Sequence, residues 1–450
     1  MRGLRGRVAG HSIVRRITED ALYRGSTLLL LNTALLSGFG FAFWAVAARL
    51  YPTDAVGAFA GITAGVGLLG AVGALGLPNT LMRHLALAPS ARQLATVAVV
   101  ASTTAGGALC LIVVLFLGGH LPGELDLAQA DHRILVAVLA MLAAVGAVID
   151  GGLIALRSTR QILTKNLAGS IAKLGVLGAL AASGVLGMVG LVTAYGIGAG
   201  LAAFLGGVAL FRRVRSGGGI APPRRDLRRY LSFSGSSYLG TVVGILPATI
   251  VPLMVLTLLG PEETAYFTIA FMLASFLNFV PSTTAQVLMA EVSRGDRALR
   301  VVVSKAVRHV YSLLLPAVLI LVLGAPFVLR IFGPGYADGA TTCLQLLGLG
   351  ALATGCTYLI DAILAARDRM GAYIAMNVAN ALLVLGLVGL ALPHGLAAAG
   401  AAWVVAQAAS VALGLVALRV TGVWRSPGSR ASLALAGAAA EAESYGPGRG

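Results

Sequence analysis

ILVAVLAMLAAVGAVIDGGLIALRSTRQILTKNLAGSIAKLGVLGALAASGV, residues 134–185, carries the pattern on which the fold turns. Two apolar runs, 134–156 and 167–185, flank a short segment with Arg157, Arg160 and Lys165. A helix needs about 20 apolar residues to cross the hydrocarbon core of a bilayer, and each run is about that long. Cations gathered in the turn between two spans mark its cytoplasmic side. The stretch therefore predicts a transmembrane hairpin whose turn, centred near residue 161, faces the cytoplasm.

The alternation repeats outward in both directions. Spans are predicted near 26–48, 56–80, 94–117, 134–156, 167–185, 188–211, 232–259, 265–289, 305–328, 341–364, 372–392 and 396–418. The inner segments are basic. They hold Arg83 and Arg92, then Arg212, Arg213, Arg215, Arg224, Arg225, Arg228 and Arg229, then Arg294, Arg297, Arg300, Lys305 and Arg308, then Arg367 and Arg369. The outer loops are short and mostly acidic, with Asp54, Glu124, Asp126, Asp131, Glu262, Glu263 and Asp338. Of 33 Lys and Arg residues, four depart from this sorting: Arg49, Arg133 and Arg330 in outer loops, and Lys173 inside a span. A multi-pass protein of the cytoplasmic membrane with both termini in the cytoplasm is expected.

Composition agrees. The 450 residues are 58% hydrophobic and 11% charged, with mean hydropathy +0.90, whereas a soluble domain carries about 25% charged residues. The net charge of +16 would suggest nucleic acid in a soluble chain. Here it is spread over short loops facing anionic membrane lipids, and no nucleic-acid partner is expected. Cys110, Cys343 and Cys356 lie in apolar stretches without metal-ligand spacing, so neither a metal site nor a disulfide framework is expected.

The chain divides into a basic cytoplasmic N-tail (1–25), an N-lobe of six spans (26–211), a basic linker (212–230), a C-lobe of six spans (231–419) and a disordered cytoplasmic C-tail (420–450). Gly217 to Gly219 and Pro222-Pro223 break helix in the linker. A shift of 211 residues lays the second lobe over the first. It matches Asp150 with Asp361, Asn166 with Asn377, Leu174 with Leu385, Gly175 with Gly386 and Gly178 with Gly389. Six spans separate equivalent positions, so the lobes share one orientation and form a parallel repeat. The fold class is all-α and polytopic, with about 12 transmembrane helices in two pseudo-symmetric six-helix bundles around a central cavity.

Residues 48–85 (ARLYPTDAVGAFAGITAGVGLLGAVGALGLPNTLMRHL) resemble the end of helix one through helix two of the polysaccharide-exporter, or O-antigen, branch of the MATE-like MOP superfamily flippases. Residues 258–294 and 331–383, with their G-P-x-x and F-G-P-x-Y turns, resemble later parts of the same family. The resemblance covers roughly residues 20 to 420. It implies alternating-access export of undecaprenyl-pyrophosphate-linked oligosaccharide for cell-surface polysaccharide. It also implies a pathway shared with a polymerase and glycosyltransferases, and cationic residues facing the cavity for the pyrophosphate. Arg24, Arg49, Arg83 and Lys173 are the candidates for that contact, and Asn278, Gln286 and Gln407 could meet sugar hydroxyls or lock helices together.

A charge at mid-bilayer costs about 2.5 to 3.5 kcal/mol on insertion scales, so each one needs an account. With the turn near residue 161, Asp150 and Lys173 fall at similar depth and are expected to pair. The 211-residue shift carries Lys173 onto Val384, which leaves Asp361 to Asn377 and Asn380. Asp150, Asp361, Asn377 and Asn380 are the ion-coupling or gating candidates, and coupling to H⁺, to Na⁺ or to membrane potential all stand open. Pro247 and Pro252 in the seventh span, Pro281 in the eighth, and Pro316 and Pro326 in the ninth are expected to kink their helices.

Two other readings compete. A cation-coupled MATE-type exporter of drugs or small molecules commonly has an acidic residue in its first span, and none lies between Arg24 and Arg49. A membrane polymerase or glycosyltransferase would need a catalytic outer loop, and Gly118 to Arg133 offers only Glu124, Asp126, Asp131 and His132. No G-x-S-x-G, P-loop or metal-spaced His cluster occurs, so no catalytic residue and no resident cofactor are expected.

Overall fold

The computed structural model describes residues 21–88, 91–117, 130–214, 224–294 and 299–423, and among them all regular structure is helical. The basic N-tail up to residue 20, Glu124 and Asp126, the Gly-Pro part of the linker, Arg297 and the tail from 424 lie outside the described residues. In chain order the helices are α1 (Ala21–Leu50), α2 (Thr53–Gly73), α3 (Leu77–His84), α4 (Ala91–Leu117) and α5 (Ala130–Ala155). There follow α6 (Thr159–Ala182), α7 (Met188–Arg213), α8 (Arg224–Leu259), α9 (Pro261–Ser275) and α10 (Phe279–Arg294). The last are α11 (Leu299–Leu329), α12 (Pro334–Ala366), α13 (Met370–Ala391) and α14 (Leu396–Val420).

Eleven segments among these are long and apolar enough to cross a membrane, α9 and α10 counting together as one. Helix α6 supplies the twelfth crossing. It is 24 residues long but carries Arg160, Lys165 and Lys173, so composition alone passes it over. The protein is an all-α polytopic membrane protein.

Two of the predicted spans are not single helices. The run expected at 56–80 stops at Gly73 and restarts at Leu77. Between them Leu75 and Gly76 take the left-handed conformation (φ 53° and 67°), and Pro78 opens α3. Pro and Gly so placed end one helix and begin another. In the second half α9 gives way to a 3₁₀ turn at Phe276–Asn278 before α10. Pro281 lies just beyond; its ring has no N–H to donate and crowds the carbonyl four residues earlier, at Leu277. The other prolines do not interrupt their helices. α8 runs through Pro247 and Pro252, and α11 through Pro316 and Pro326, because a long helix survives the loss of one rung when the rest of its ladder is intact.

The repeat is visible in the backbone itself. Helix α5 ends at Arg157 in the left-handed region (φ 54°), and α12 ends at Asp368 in the same region (φ 57°), 211 residues on. Both ends are Schellman caps. Ser158 N–H donates to Leu153 O (2.8 Å) and Arg157 N–H to Ile154 O (2.9 Å). Arg369 N–H donates to Leu364 O (2.9 Å) and Asp368 N–H to Ala365 O (3.1 Å). At the far end of each hairpin Gly184 (φ 82°) and Gly395 (φ 97°) again differ by 211. Identical caps at one offset are much harder to obtain by chance than matched leucines and alanines.

Packing sorts the chain into two compact units. One takes residues up to Ala270 together with Ala325–Thr341 and Gly389–Leu396; the other takes Phe271–Gly324, Thr342–Val388 and the residues from Ala397 onward. This partition differs from a cut at the 212–230 linker. Helix α8 packs along α2 within the first unit, so covalent repeat and packing unit do not coincide there. The first unit has a core of Leu77, Leu81, Leu94, Val148, Leu153, Ile162 and Leu210. The second has Leu288, Val310, Leu314, Leu359, Ile363 and Leu418 at its centre.

Candidate functional site

In the first unit the site is assembled on α6. Lys165, Gly169 and Lys173 are spaced four residues apart and therefore share one face of the helix. On α7 the residues Gly198, Ala202 and Gly206 form the complementary small-residue stripe. At the crossing a Cβ on Gly169 would stand 2.6 Å from Gly198 O, and one on Gly198 would stand 2.6 Å from Gly169 O. Only glycine allows that approach. It lays the aliphatic stem of Lys165 against Gly206, where an added Cβ would lie 2.6 Å from Lys165 Cδ. The stem is thereby buried and the ammonium is sent on to polar partners.

Those partners form a chain. Lys165 Nζ lies 3.0 Å from Asp150 Oδ1 on α5; the Lys165 side chain is 5% exposed and that of Asp150 36%. Lys165 Nζ also donates to Asn166 Oδ1 (2.8 Å), and Asn166 Nδ2 donates to Asn32 Oδ1 on α1 (3.0 Å). Three helices are joined by one ion pair and two hydrogen bonds, inside a solvent that penalises any of these groups left alone.

The expected partner of Asp150 was Lys173, and that pairing does not form. The turn is centred on Arg157 rather than residue 161, because α5 ends in its Schellman cap there and α6 begins at Thr159. Counting equally from Arg157 puts Lys165 level with Asp150. Lys173 is eight residues further on, about 12 Å deeper at 1.5 Å per residue. Its ammonium sits over two rings instead, 4.7 Å from the Phe43 centroid and 5.1 Å from the Tyr195 centroid. Phe43, Phe59 and Tyr195 are mutually in contact, with centroids 5.7 to 6.3 Å apart, so α1, α2 and α7 build one aromatic wall around the cation. Among the described residues no carboxylate pairs with Lys173. Ring faces can hold a cation in a dry environment, and they leave its charge uncancelled.

In the second unit Asp361 on α12 accepts from Asn377 Nδ2 on α13 (3.3 Å), and the same amide donates to Tyr373 O (3.0 Å). Asn377 is thus the expected neighbour. Asn380 is not; it accepts from Ser410 Oγ on α14 (2.8 Å) and ties two helices together.

The remaining candidates separate. Arg49 donates from Nε to Ile331 O (2.8 Å) and from Nη2 to Arg330 O (2.6 Å), capping the carbonyls released where α11 ends. Its guanidinium is used structurally. Arg83 is exposed at the end of α3 and Gln286 is exposed on α10, while Gln407 is buried on α14. Asn278 sits in the 3₁₀ break, with a buried Oδ1 that has no hydrogen-bond partner among the described residues. Arg24 lies on α1, and its side chain is outside the described residues.

Reading the sequence alone missed Lys165 as the deep cation, Asn32 and Asn166 as its relay, and Phe43 and Tyr195 as the walls of Lys173. One signal for the first was present. Ser158 is a favoured residue type at a helix start, and beginning the helix there would have drawn Lys165 off the loop and level with Asp150. No sequence signal selects Phe43 and Tyr195 among the aromatics.

Fold and site together define a class: a polytopic all-α membrane protein with cations held deep between its helices. The chain belongs to the polysaccharide biosynthesis protein family, whose model matches residues 22–289. An inward-facing multidrug resistance MATE family transporter of the MOP superfamily is 17% identical, with 86% of this chain and 95% of that one covered at TM-score 0.70. The lipid II flippase MurJ in an inward closed conformation is 13% identical, with 87% of each chain covered at TM-score 0.71. An outward-facing MATE family transporter is 16% identical, with 90% and 96% covered at TM-score 0.59. At such identities the likeness is one of fold. No curated protein gives a match to the sequence.

Proposed function

We propose that this protein carries an anionic, lipid-linked oligosaccharide unit across the cytoplasmic membrane by alternating access, as a step in cell-surface polysaccharide synthesis. The observation that carries the reading is Lys173, a cation deep in the first unit, walled by Phe43 and Tyr195 and, among the described residues, not cancelled by a carboxylate. A pyrophosphate is the kind of group such a site attracts. Membership of the polysaccharide biosynthesis family supports the same substrate class. With the basic loops cytoplasmic, Arg24 and Arg83 would lie near the inner rim and would recruit the headgroup. Rocking of residues 20–212 against 225–420 would then expose it outward. The paired Lys165 and Asp150 would serve as a rigid strut of the first lobe.

The test is export of a polyprenyl-pyrophosphate-linked oligosaccharide from reconstituted vesicles. Lys173→Met, which keeps a long unbranched stem and removes the charge, should lower the rate at least tenfold while leaving folding intact. Wild-type export by that variant would overturn the reading.

A second reading is cation-coupled export of a small molecule. Taken as a group, the solved neighbours side with it more than with the first, since most are multidrug or other MATE transporters. Asp361 also speaks for it: it accepts a hydrogen bond from the neutral amide of Asn377, leaving a carboxylate available to an ion. Asp361→Asn should abolish ion-driven efflux of a small organic cation if that reading holds, and should leave flipping of the lipid-linked unit unchanged if the first one does.

A further inference from the structure

At one end of the second unit, the start of α11 and the last turn of α14 enclose an open groove of about 640 Å³. Among the described residues its lining is Arg300, Val303, Ser304, Val307 and Arg308 from α11 and Arg419 from α14. The α11 residues follow the spacing i, i+3, i+4, i+7 and i+8, so they occupy one helix face. Beneath them Leu299, Ala306, Leu418 and Val423 are packed in the core of the unit, which holds the two helix ends in register.

Three guanidiniums therefore converge on one concavity. All three residues are exposed, and among the described residues none makes an ion pair or hydrogen bond. Among the described residues, neither Glu291 nor Asp368 is in the lining. The Ser304 hydroxyl already donates to Val301 O (3.1 Å), so donation to a ligand falls to the arginines. Like charges held together, with no counterion among the described residues, form a site for an anion, and the planar fork of Arg suits phosphate oxygens in particular. Val303 and Val307 add an apolar side to the same groove. Its volume lies in the range of small-molecule sites, about 300 to 1,000 Å³, which is roomy for a lone inorganic phosphate. The groove also lies where spans end, at the level of lipid headgroups.

We infer that this groove seats the phosphate-bearing headgroup of an anionic membrane lipid, the arginines taking the phosphate and the valines the glyceryl stem. The site is separate from Lys173 and Asp361, and it holds whatever the transported substrate proves to be. Each arginine near a headgroup is worth about a fivefold change in affinity.

The test uses the full chain in an uncharged detergent, with bound lipid counted by native mass spectrometry. Phosphatidylglycerol should bind more tightly than phosphatidylcholine. Arg419→Gln should weaken phosphatidylglycerol binding about fivefold and the Arg300→Gln/Arg308→Gln/Arg419→Gln triple about a hundredfold. Arg369→Gln, on the same end of the unit but outside the groove, should leave it unchanged. Equal binding of the two lipids, or undiminished phosphatidylglycerol binding by the triple variant, overturns the proposal. Should the triple variant fail to fold, unchanged affinity in Arg419→Gln overturns it equally. A parallel arm offers inorganic phosphate alone: an arginine-dependent thermal shift there matching that of the lipid would make free phosphate the ligand and sink the lipid assignment.

Discussion

The hairpin of α5 and α6 and the hairpin of α12 and α13 share one backbone plan and differ in the chemistry they hold. Both turn through a Schellman cap, at Arg157 and at Asp368, and both place an aspartate seven residues before it, Asp150 and Asp361. Both have an asparagine nine residues after it, Asn166 and Asn377. The residue before that asparagine decides the rest. It is Lys165 in the first hairpin and Met376 in the second, each buried and each packed beside a glycine of the last helix of its half, Gly206 and Gly414. Lysine brings a counterion to Asp150 and sends Asn166 across to Asn32. Methionine leaves Asp361 to Asn377. One substitution within a duplicated frame thus separates a carboxylate held in an ion pair from one held by a neutral amide.

Removing the anion of the first hairpin should have the largest effect. Asp150→Asn strands the ammonium of Lys165 in a nearly sealed site, at a cost of about 3 kcal/mol, measured as lost resistance to denaturation in mixed micelles. Gly198→Ala comes next, at about 2 kcal/mol, because the new methyl meets Gly169 O and the Lys173 Cβ. Gly175→Ala on α6 has nothing within 4 Å and should be neutral, which separates crowding from glycine's general helix penalty. Lys165→Met makes the first hairpin imitate the second. It should cost only about 1 kcal/mol, since Asp150 is partly exposed and Asn166 can turn to it, and the Asp150→Asn/Lys165→Met double variant should regain most of what Asp150→Asn alone loses. Among the polar replacements Asp361→Asn should have the smallest effect, under about 1 kcal/mol, because an amide replaces a carboxylate beside an amide and no charge is stranded. If Asp150→Asn and Asp361→Asn prove equally costly, the contrast between the hairpins fails.

Much of this was legible in order along the chain. The apolar runs and basic loops located every crossing, including α6, which its own cations would otherwise disqualify. The 211-residue shift matched Asp150 with Asp361 and Asn166 with Asn377 before any contact was known. Errors arose where a few residues of register mattered. Centring one turn four residues late exchanged Lys165 for Lys173 as the partner of Asp150. Reading 56–80 as one helix passed over Leu75 and Gly76, because a hydropathy run continues unchanged through a left-handed break. Of the prolines expected to kink helices, Pro281 stands beside a 3₁₀ break, while Pro247, Pro252, Pro316 and Pro326 lie inside continuous helices.

The sequence by itself determined how many times the chain crosses, which loops carry the positive charge, and that the two halves repeat. Those properties depend on transfer free energies summed over about 20 residues, and a sum of that length tolerates local error. Only the tertiary structure decided that Lys165 reaches Asp150, that Lys173 rests between Phe43 and Tyr195, and that Arg49 is spent on the carbonyls of Arg330 and Ile331. Each of these depends on helix rotation and on glycine contacts at the level of single ångströms, where one side chain's position outweighs any average along the chain.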